Sequence, residues 1–297
     1  MTAENSRAVA SFLGLAIGDA LGAPVEFEQP GRFEPVVGYR SGGPWNLPAG
    51  YWTDDTSMAI CVAESIIAKN RINPQDLMER FCRWFQHGEN SSTGVCFDIG
   101  NTTVQALRRF LHSGSYQPAH NLAYLSGNGS IMRLSPVAVR WWREPDQLID
   151  AAVSQSMITH GSDECVQCCA SLATILGAGI RGEPVHQQLS VWASSVDADQ
   201  VSNSGRAIDT LEAAKWAVGT NSDFSSAVLA AVNLGGDSDT IGAVAGQIAG
   251  AIWGMESIPA EWVSGLYQSE KLLSLAQQLW IKSIEGSVTA QSSSFEN

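Results

Sequence analysis

The chain has 297 residues, 44% of them hydrophobic and 16% charged, which is enough apolar material to bury a large core. Its formal charge of −13 comes from 17 basic and 30 acidic residues; such a field repels nucleic acid, and no Lys/Arg run offsets it. An anionic small substrate must then be neutralised locally by cations or backbone amides, whereas an arginine-bearing protein surface is attracted. No low-complexity linker or charge block divides the chain, so one domain over 1–297 is expected.

The first element is an apolar run from Ala8 to Gly18. Glu4 cancels Arg7, so there is no basic region ahead of it, and Asp19 ends it. The run is too short to span a bilayer and reads as a buried helix of a cytoplasmic protein, with no membrane span. Glu28 to Gly50 is rich in Gly and Pro and too long for a mere connector, so it is expected to cover a site. A helix carrying Ile60, Val62 and Ile66 follows Thr53-Asp54-Asp55-Thr56. Asn73-Pro74 is a cap followed by a first-turn proline, with Leu77, Met78, Phe81, Trp84 and Phe85 on one face. Val104, Leu107, Phe110 and Leu111 repeat that pattern after Asn101-Thr102-Thr103.

Leu125 to Ser135 holds Gly127-Asn128-Gly129-Ser130, a turn whose bare amides could cradle phosphate. Cys165, Cys168, Cys169, Leu172 and Leu176 share one helical face, so the thiols read as core groups of a reducing compartment rather than as a metal site. Val191 to Val196 is the one tempting strand. Ala227 to Leu234 is apolar on nearly all sides, as a central helix would be. Ile241 to Gly254 alternates Gly and Ala, which permits close helix approach and needs it as compensation. Leu272, Leu273, Ala276, Leu279 and Trp280 make a last amphipathic helix, and the Ser-rich end from Ser287 to Asn297 is expected to fray. The fold class is all-α, a compact single-domain bundle of many helices.

Two acidic clusters carry the chemistry: Thr53-Asp54-Asp55-Thr56 and Asp237-Ser238-Asp239-Thr240, each at a helix start. Neighbouring carboxylates repel, and a helix N-terminus with a hard divalent cation relieves that repulsion. The donors are all oxygen, which suits Mg²⁺ or Mn²⁺ and argues against zinc or copper. Helix capping explains one residue in each cluster but not a Thr and two Asp. The second cluster is not the Asp-x-Asp-x-Thr of haloacid-dehalogenase phosphatases, because Ile241 stands where the Thr belongs. No Gly-x-Ser-x-Gly elbow and no Walker loop is present. Taken singly, His160, Glu26 and Asp98 read as a structural histidine, a surface acid and another helix start.

Taken together, Gly14-Leu15-Ala16-Ile17-Gly18-Asp19-Ala20-Leu21-Gly22, Thr53-Asp54-Asp55-Thr56, Gly127 to Arg133, Thr159-His160 and Gly235-Gly236-Asp237-Ser238-Asp239-Thr240 resemble the ADP-ribosylglycohydrolase family. The likeness runs from about residue 8 to residue 285 and is nearest to the nitrogenase-regulating, arginine-acting branch. It implies an all-helical fold with two divalent cations, Mg²⁺ or Mn²⁺, held by Thr53, Asp54, Asp55, Asp237, Asp239 and Thr240. By the same resemblance ADP-ribose lies against Gly127, Asn128, Gly129, Ser130, Met132 and His160, with Glu26 and Asp98 beside the reacting sugar. Asp55, Asp98 and Glu26 are then the catalytic candidates, and either Glu26 or Asp55 takes the proton from water. The expected partner is a protein carrying ADP-ribose on arginine, with an O-linked serine or small-molecule ADP-ribosyl substrate as the alternative. A non-catalytic, crystallin-like descendant is a further alternative, although all six metal positions keep oxygen donors. The chain departs from some arginine-specific relatives after His160, where Gly161-Ser162-Asp163-Glu164 lacks a second histidine. Gly88 to Phe97, ahead of Asp98, is also long, and both differences bear on what is cleaved. The protein is expected to act as a monomer.

Overall fold

The computed structural model describes residues 1–116 and 126–292, with side chains described to residue 285. Its described residues form thirteen α-helices and no β-strand, only the isolated bridges Gly42–Leu47 and Gly127–Arg206. In chain order the helices are α1 (Ala3–Gly22), α2 (Asp54–Lys69), α3 (Pro74–His87), α4 (Asn101–Ser113), α5 (Ser135–Trp141), α6 (Pro145–Met157) and α7 (Asp163–Arg181). They continue as α8 (Val185–Ala193), α9 (Ala207–Gly219), α10 (Phe224–Val232), α11 (Ser238–Trp253), α12 (Ala260–Gly265) and α13 (Ser269–Ser292).

The pair α1 and α11 forms the centre, and no two helices pack more extensively. Small residues make this possible. A Cβ added at Gly14 would meet Gly246 O at 2.2 Å, one at Gly18 would meet Gly242 O at 2.0 Å, and one at Gly250 would meet Ala10 O at 2.2 Å. As the contact moves up α1 it moves down α11, so the two run antiparallel with backbones in direct contact. The C-terminal end of α1, carrying Asp19 and Gly22, therefore meets the N-terminal end of α11, carrying Ser238 and Asp239. Around this pair, α7, α9 and α10 pack on α11, while α2, α5 and α13 pack on α1.

Several expectations change. The apolar run at the N-terminus extends to Ala3–Gly22, and Ala3–Val25 is long and apolar enough to cross a membrane by length and composition; its most apolar 18-residue stretch is buried inside the fold. The helices buried all round are α11 and, from Ala8 onward, α1, not the segment from Ala227. There α10 ends at Val232, and Leu229 and Ala230 are only partly covered. Val191 to Val196 is no strand: Val191 sits 74% exposed on α8, which Trp192 and Ala193 complete. On α4 the buried face is Thr103, Ala106, Leu107 and Phe110, and Leu111 points outward because the neighbouring helices approach from the other side. The helix α13 continues to Ser292, beyond the Ser287 at which a frayed tail was expected; residues 293–297 lie outside the described residues, as does Leu125.

Other readings stand. Asn73 accepts a hydrogen bond from Asp76 N at 3.0 Å, and Pro74 opens α3. Cys165, Cys168 and Cys169 are buried on α7 with Leu172 and Leu176.

Candidate metal centre and its cavity

The starts of α2, α4 and α11 converge on one cavity of about 850 Å³. Three helix N-termini thus bring their positive dipole ends to the same space. Asp54 lines it from α2, Asn101, Thr102 and Thr103 from α4, and Asp237, Asp239 and Thr240 from α11. Glu26 and Asp98 enter from irregular segments, and Gly127, Asn128, Gly129, Met132 and His160 form another wall. Among the described residues no Lys or Arg lines the cavity.

Asp54, Asp55 and Asp239 bring one carboxylate oxygen each within 4.8 Å of one another, and so do Glu26, Asp98 and Asp239. The two triads share Asp239. Asp55 Oδ1 and Asp239 Oδ1 are buried with no hydrogen-bond partner among the described residues. Thr53 Oγ1 lies 3.1 Å from Asp239 Oδ2, and Thr240 Oγ1 donates to Asp55 Oδ2 at 3.3 Å. Buried carboxylate oxygens of like charge that receive no hydrogen bond are suited to a cation. The donor set is carboxylate and hydroxyl only, so the residues present fit a hard divalent cation.

The repulsion is visible in the acidities. Burial, reinforced by Asp239, pushes Asp54 and Asp55 well above the usual carboxylate range. For the same reasons Asp237 rises from 3.8 to about 8, and Glu26 from 4.5 to about 10. Asp98 is also raised, first by burial and then by the Asp239 charge beside it. Asp98 holds a left-handed backbone, φ 59°, uncommon for a residue with a side chain, just ahead of α4, whose cap is Gly100. Backbone strain at an acid facing like charges marks a position held for a purpose other than stability.

A raised acid binds its proton more readily in the folded state. Its stabilising contribution is fully present below the unfolded pKa and is lost as pH rises through the folded value. With Asp237 moved from 3.8 to about 8 and Asp19 from 3.8 to about 7, the metal-free protein should lose stability between about pH 4 and pH 8. Thermal melts in chelator across that range check the slope, and Mg²⁺ or Mn²⁺ should restore most of the loss at pH 8. A flat profile with no cation effect counts against the centre.

Neither acidic cluster caps its own helix: Thr53 and Asp237 occupy the cap positions of α2 and α11 without a side-chain cap bond. The cap of α2 comes from α1. Asp19 accepts from Thr53 N at 2.8 Å, Thr56 N at 3.0 Å, Thr53 Oγ1 at 2.9 Å and Thr56 Oγ1 at 2.6 Å. With the α2 amides satisfied by Asp19, Asp54 and Asp55 stay available for a cation. The role of Asp19 was not read from the sequence, although a lone acid in an apolar helix was the signal. Asp19→Asn sets an amide N–H₂ against the Thr56 donors, so it should cost about 1–3 kcal/mol in chemical denaturation with chelator present.

The long segment before α2 does reach the site. Trp45 Nε1 donates to Glu26 Oε2 at 2.8 Å, and the indole packs on Phe97 with ring centroids 5.6 Å apart. Phe27 N donates to Gly236 O at 2.7 Å and Gly236 N to Glu28 O at 2.8 Å, which ties Glu26 to the loop ahead of α11. Trp45, like Asn203 and Gly205, carried no motif and was missed.

The Gly127 turn differs in detail from expectation. The Asn128 amide is spent on Gly205 O at 3.1 Å, and the Asn128 side chain donates to Asp237 Oδ2 and Thr210 Oγ1. Ser130 is fully buried behind the turn, where its hydroxyl meets Ser156, and it does not line the cavity. Gly129 presses on His160: a Cβ there would meet the ring at 2.8 Å. His160 is buried beside Arg133, and both effects lower it from 6.5 to about 3, so the imidazole is neutral.

Comparison with known proteins agrees with this geometry. Residues 1–287 match the family model described as ADP-ribosylglycohydrolase. The chain is similar to the ADP-ribosylarginine hydrolase Tri1 of Pseudomonas putida (strain GB-1), 39% identical over 302 residues, covering 92% of this chain and 78% of the relative. It is also similar to the ADP-ribosyl-[dinitrogen reductase] glycohydrolase of Rhodospirillum rubrum, 32% identical over 277 residues, covering 88% and 90%. A solved structure described as an ADP-ribosylglycohydrolase-related protein complex superposes with a TM-score of 0.83 at 35% identity, covering 95% of this chain and 100% of that one. Acids gathered at the starts of α2 and α11 and a match over nearly the whole chain lead to one assignment: this chain belongs to the ADP-ribosylglycohydrolase family, a family of hydrolases.

Proposed function

We propose that the protein is a metal-dependent hydrolase that removes ADP-ribose from the guanidinium nitrogen of an arginine on a protein. The observation that carries the reading is the pair of acidic triads joined at Asp239 in a cavity large enough for a dinucleotide-sized ligand. Similarity to a protein named ADP-ribosylarginine hydrolase supports the arginine linkage. Thr53, Asp54, Asp55, Asp237, Asp239 and Thr240 would hold two divalent cations, Mg²⁺ or Mn²⁺. When bound, such cations orient ribose hydroxyls and acidify water.

The chain's own groups do the rest. Gly127, Gly129 and the α4 start place amides against an anionic ligand in a cavity that has no lysine or arginine. Asp98 stabilises the positive charge that develops on the ribose as the C–N bond breaks. Water supplies hydroxide to the anomeric carbon, and its remaining proton passes through Glu26 or Asp55 to the departing guanidine nitrogen. Trp45 fixes one Glu26 oxygen and leaves the other for that proton. The same reading has the chain working as a single-domain monomer in the cytoplasm.

The test is mass spectrometry of ADP-ribosylated arginine and serine peptides incubated with the enzyme, with chelator and with added Mn²⁺ or Mg²⁺. Release from arginine alone, lost in chelator and recovered with cation, is expected. Faster release from serine, or release indifferent to chelator, overturns the corresponding half of the proposal.

A further inference from the structure

Arg133 has no exposed surface and no carboxylate partner among the described residues. A buried guanidinium in a neutral setting is costly, so its surroundings are informative. Its Nε donates to Gln155 Oε1 at 3.1 Å, and Nη2 donates to Gln155 O at 3.3 Å and to Thr159 Oγ1 at 2.8 Å. The guanidinium carbon also sits 4.6 Å over the Phe81 ring. Thr159 Oγ1 in turn lies 2.7 Å from His160 Nδ1.

Proton counting orients this chain. A guanidinium has donors only, so Thr159 Oγ1 accepts from Arg133. The hydroxyl then has a single proton to give, and His160 Nδ1 is the acceptor within reach. In the opposite tautomer Thr159 Oγ1 would accept from both Arg133 and Nδ1–H, and the buried hydroxyl hydrogen would be left without an acceptor. The order is therefore Arg133 Nη2–H to Thr159 Oγ1–H to His160 Nδ1, which leaves the proton of the neutral ring on Nε2. The ring lines the cavity beneath Gly127 and Gly129, and a Cβ at Gly129 would meet Nε2 at 2.9 Å. The backbone holds it there: His160 N donates to Ser156 O at 2.7 Å, and Ser156 Oγ donates to His160 O at 2.9 Å.

We propose that Arg133 and Thr159 are positioning residues that hold His160 as the Nε2–H tautomer and carry the positive potential of the buried guanidinium to the diphosphate subsite beside Gly127 and Gly129. This rests on the ADP-ribose reading of the cavity for its ligand, but not for its tautomer. It answers how a cavity with no Lys or Arg among its described lining residues accepts a diphosphate in a protein of charge −13: the cation stands one layer behind the wall and acts through two hydrogen bonds.

The experiment uses full-length protein labelled with ¹⁵N-histidine, the His160 signals being identified by loss in His160→Gln. Wild-type protein should show Nδ1 as the unprotonated nitrogen and Nε2 as protonated. Thr159→Val, which keeps the shape but removes the relay, should mix the tautomers and weaken ADP-ribose binding, read by calorimetry with Mg²⁺, about tenfold. Thr159→Ser should restore both and guards against a folding defect in the valine variant. A wild-type His160 protonated on Nδ1, or unchanged ADP-ribose affinity in a folded Thr159→Val, overturns the inference. Wild-type protein that does not bind ADP-ribose at all overturns the functional reading and the subsite with it, while the tautomer arm still stands or falls alone.

Discussion

Asp239→Ala should abolish divalent-cation binding in calorimetry and lower peptide de-ADP-ribosylation by at least about a thousandfold, with helical circular dichroism retained. The size follows from its place: Asp239 is the one residue belonging to both acidic triads. A second readout separates a metal site from a merely structural acid. In chelator at pH 8 the variant should melt above the wild type, because removing Asp239 removes the first charge pressing on Asp54 and Asp55 after burial itself. Added Mg²⁺ or Mn²⁺ should then raise the melting temperature of the wild type, by about 2.7 kcal/mol of stabilisation at a hundred times Kd, and leave the variant unmoved. A variant that still binds cation tightly, or that melts lower than the wild type in chelator, removes Asp239 from the centre.

The second large effect is structural. Gly246→Val should cost about 3 kcal/mol or more and lower the melting temperature by roughly 5–10 °C. The Cβ at that position falls 2.0 Å from Gly14 O, and a backbone oxygen inside a helix has nowhere to retreat. Only separation of α1 from α11 relieves the contact, and that moves Asp19 away from Asp239. Cation affinity should therefore fall with stability, although Gly246 touches no acid. Gly38→Ala is the control: its Cβ would meet nothing closer than Trp262 Nε1 at 3.9 Å, so it should stay within about 0.5 kcal/mol of wild type. Equal behaviour of the two variants would show that close approach is not what holds the pair.

Local chemistry made part of the molecule legible in advance. The Asn73-Pro74 start, the buried thiol face of α7 and the helical class follow from spacing and capping, which act within a few residues. The two acidic clusters announced themselves by a surplus of carboxylates over what caps need. Glu26, Asp98 and His160 were different: each is an ordinary residue in its own neighbourhood, and resemblance rather than pattern drew them out. Trp45 and the role of Asp19 escaped both, because a hydrogen bond across the fold leaves no local periodicity.

By itself the sequence determined the all-helical class, the excess of oxygen donors and the small-residue stripe on α11. Which stripe it meets was left to tertiary structure, and so was the capping of α2 by an acid from α1 rather than by its own Thr53. The folded chain also decided that Ser130 turns away from the cavity and that Arg133 stands behind His160. The physical reason is one of range: propensity and capping are settled between neighbours, whereas repulsion among carboxylates and the relief of it depend on distances that only packing sets.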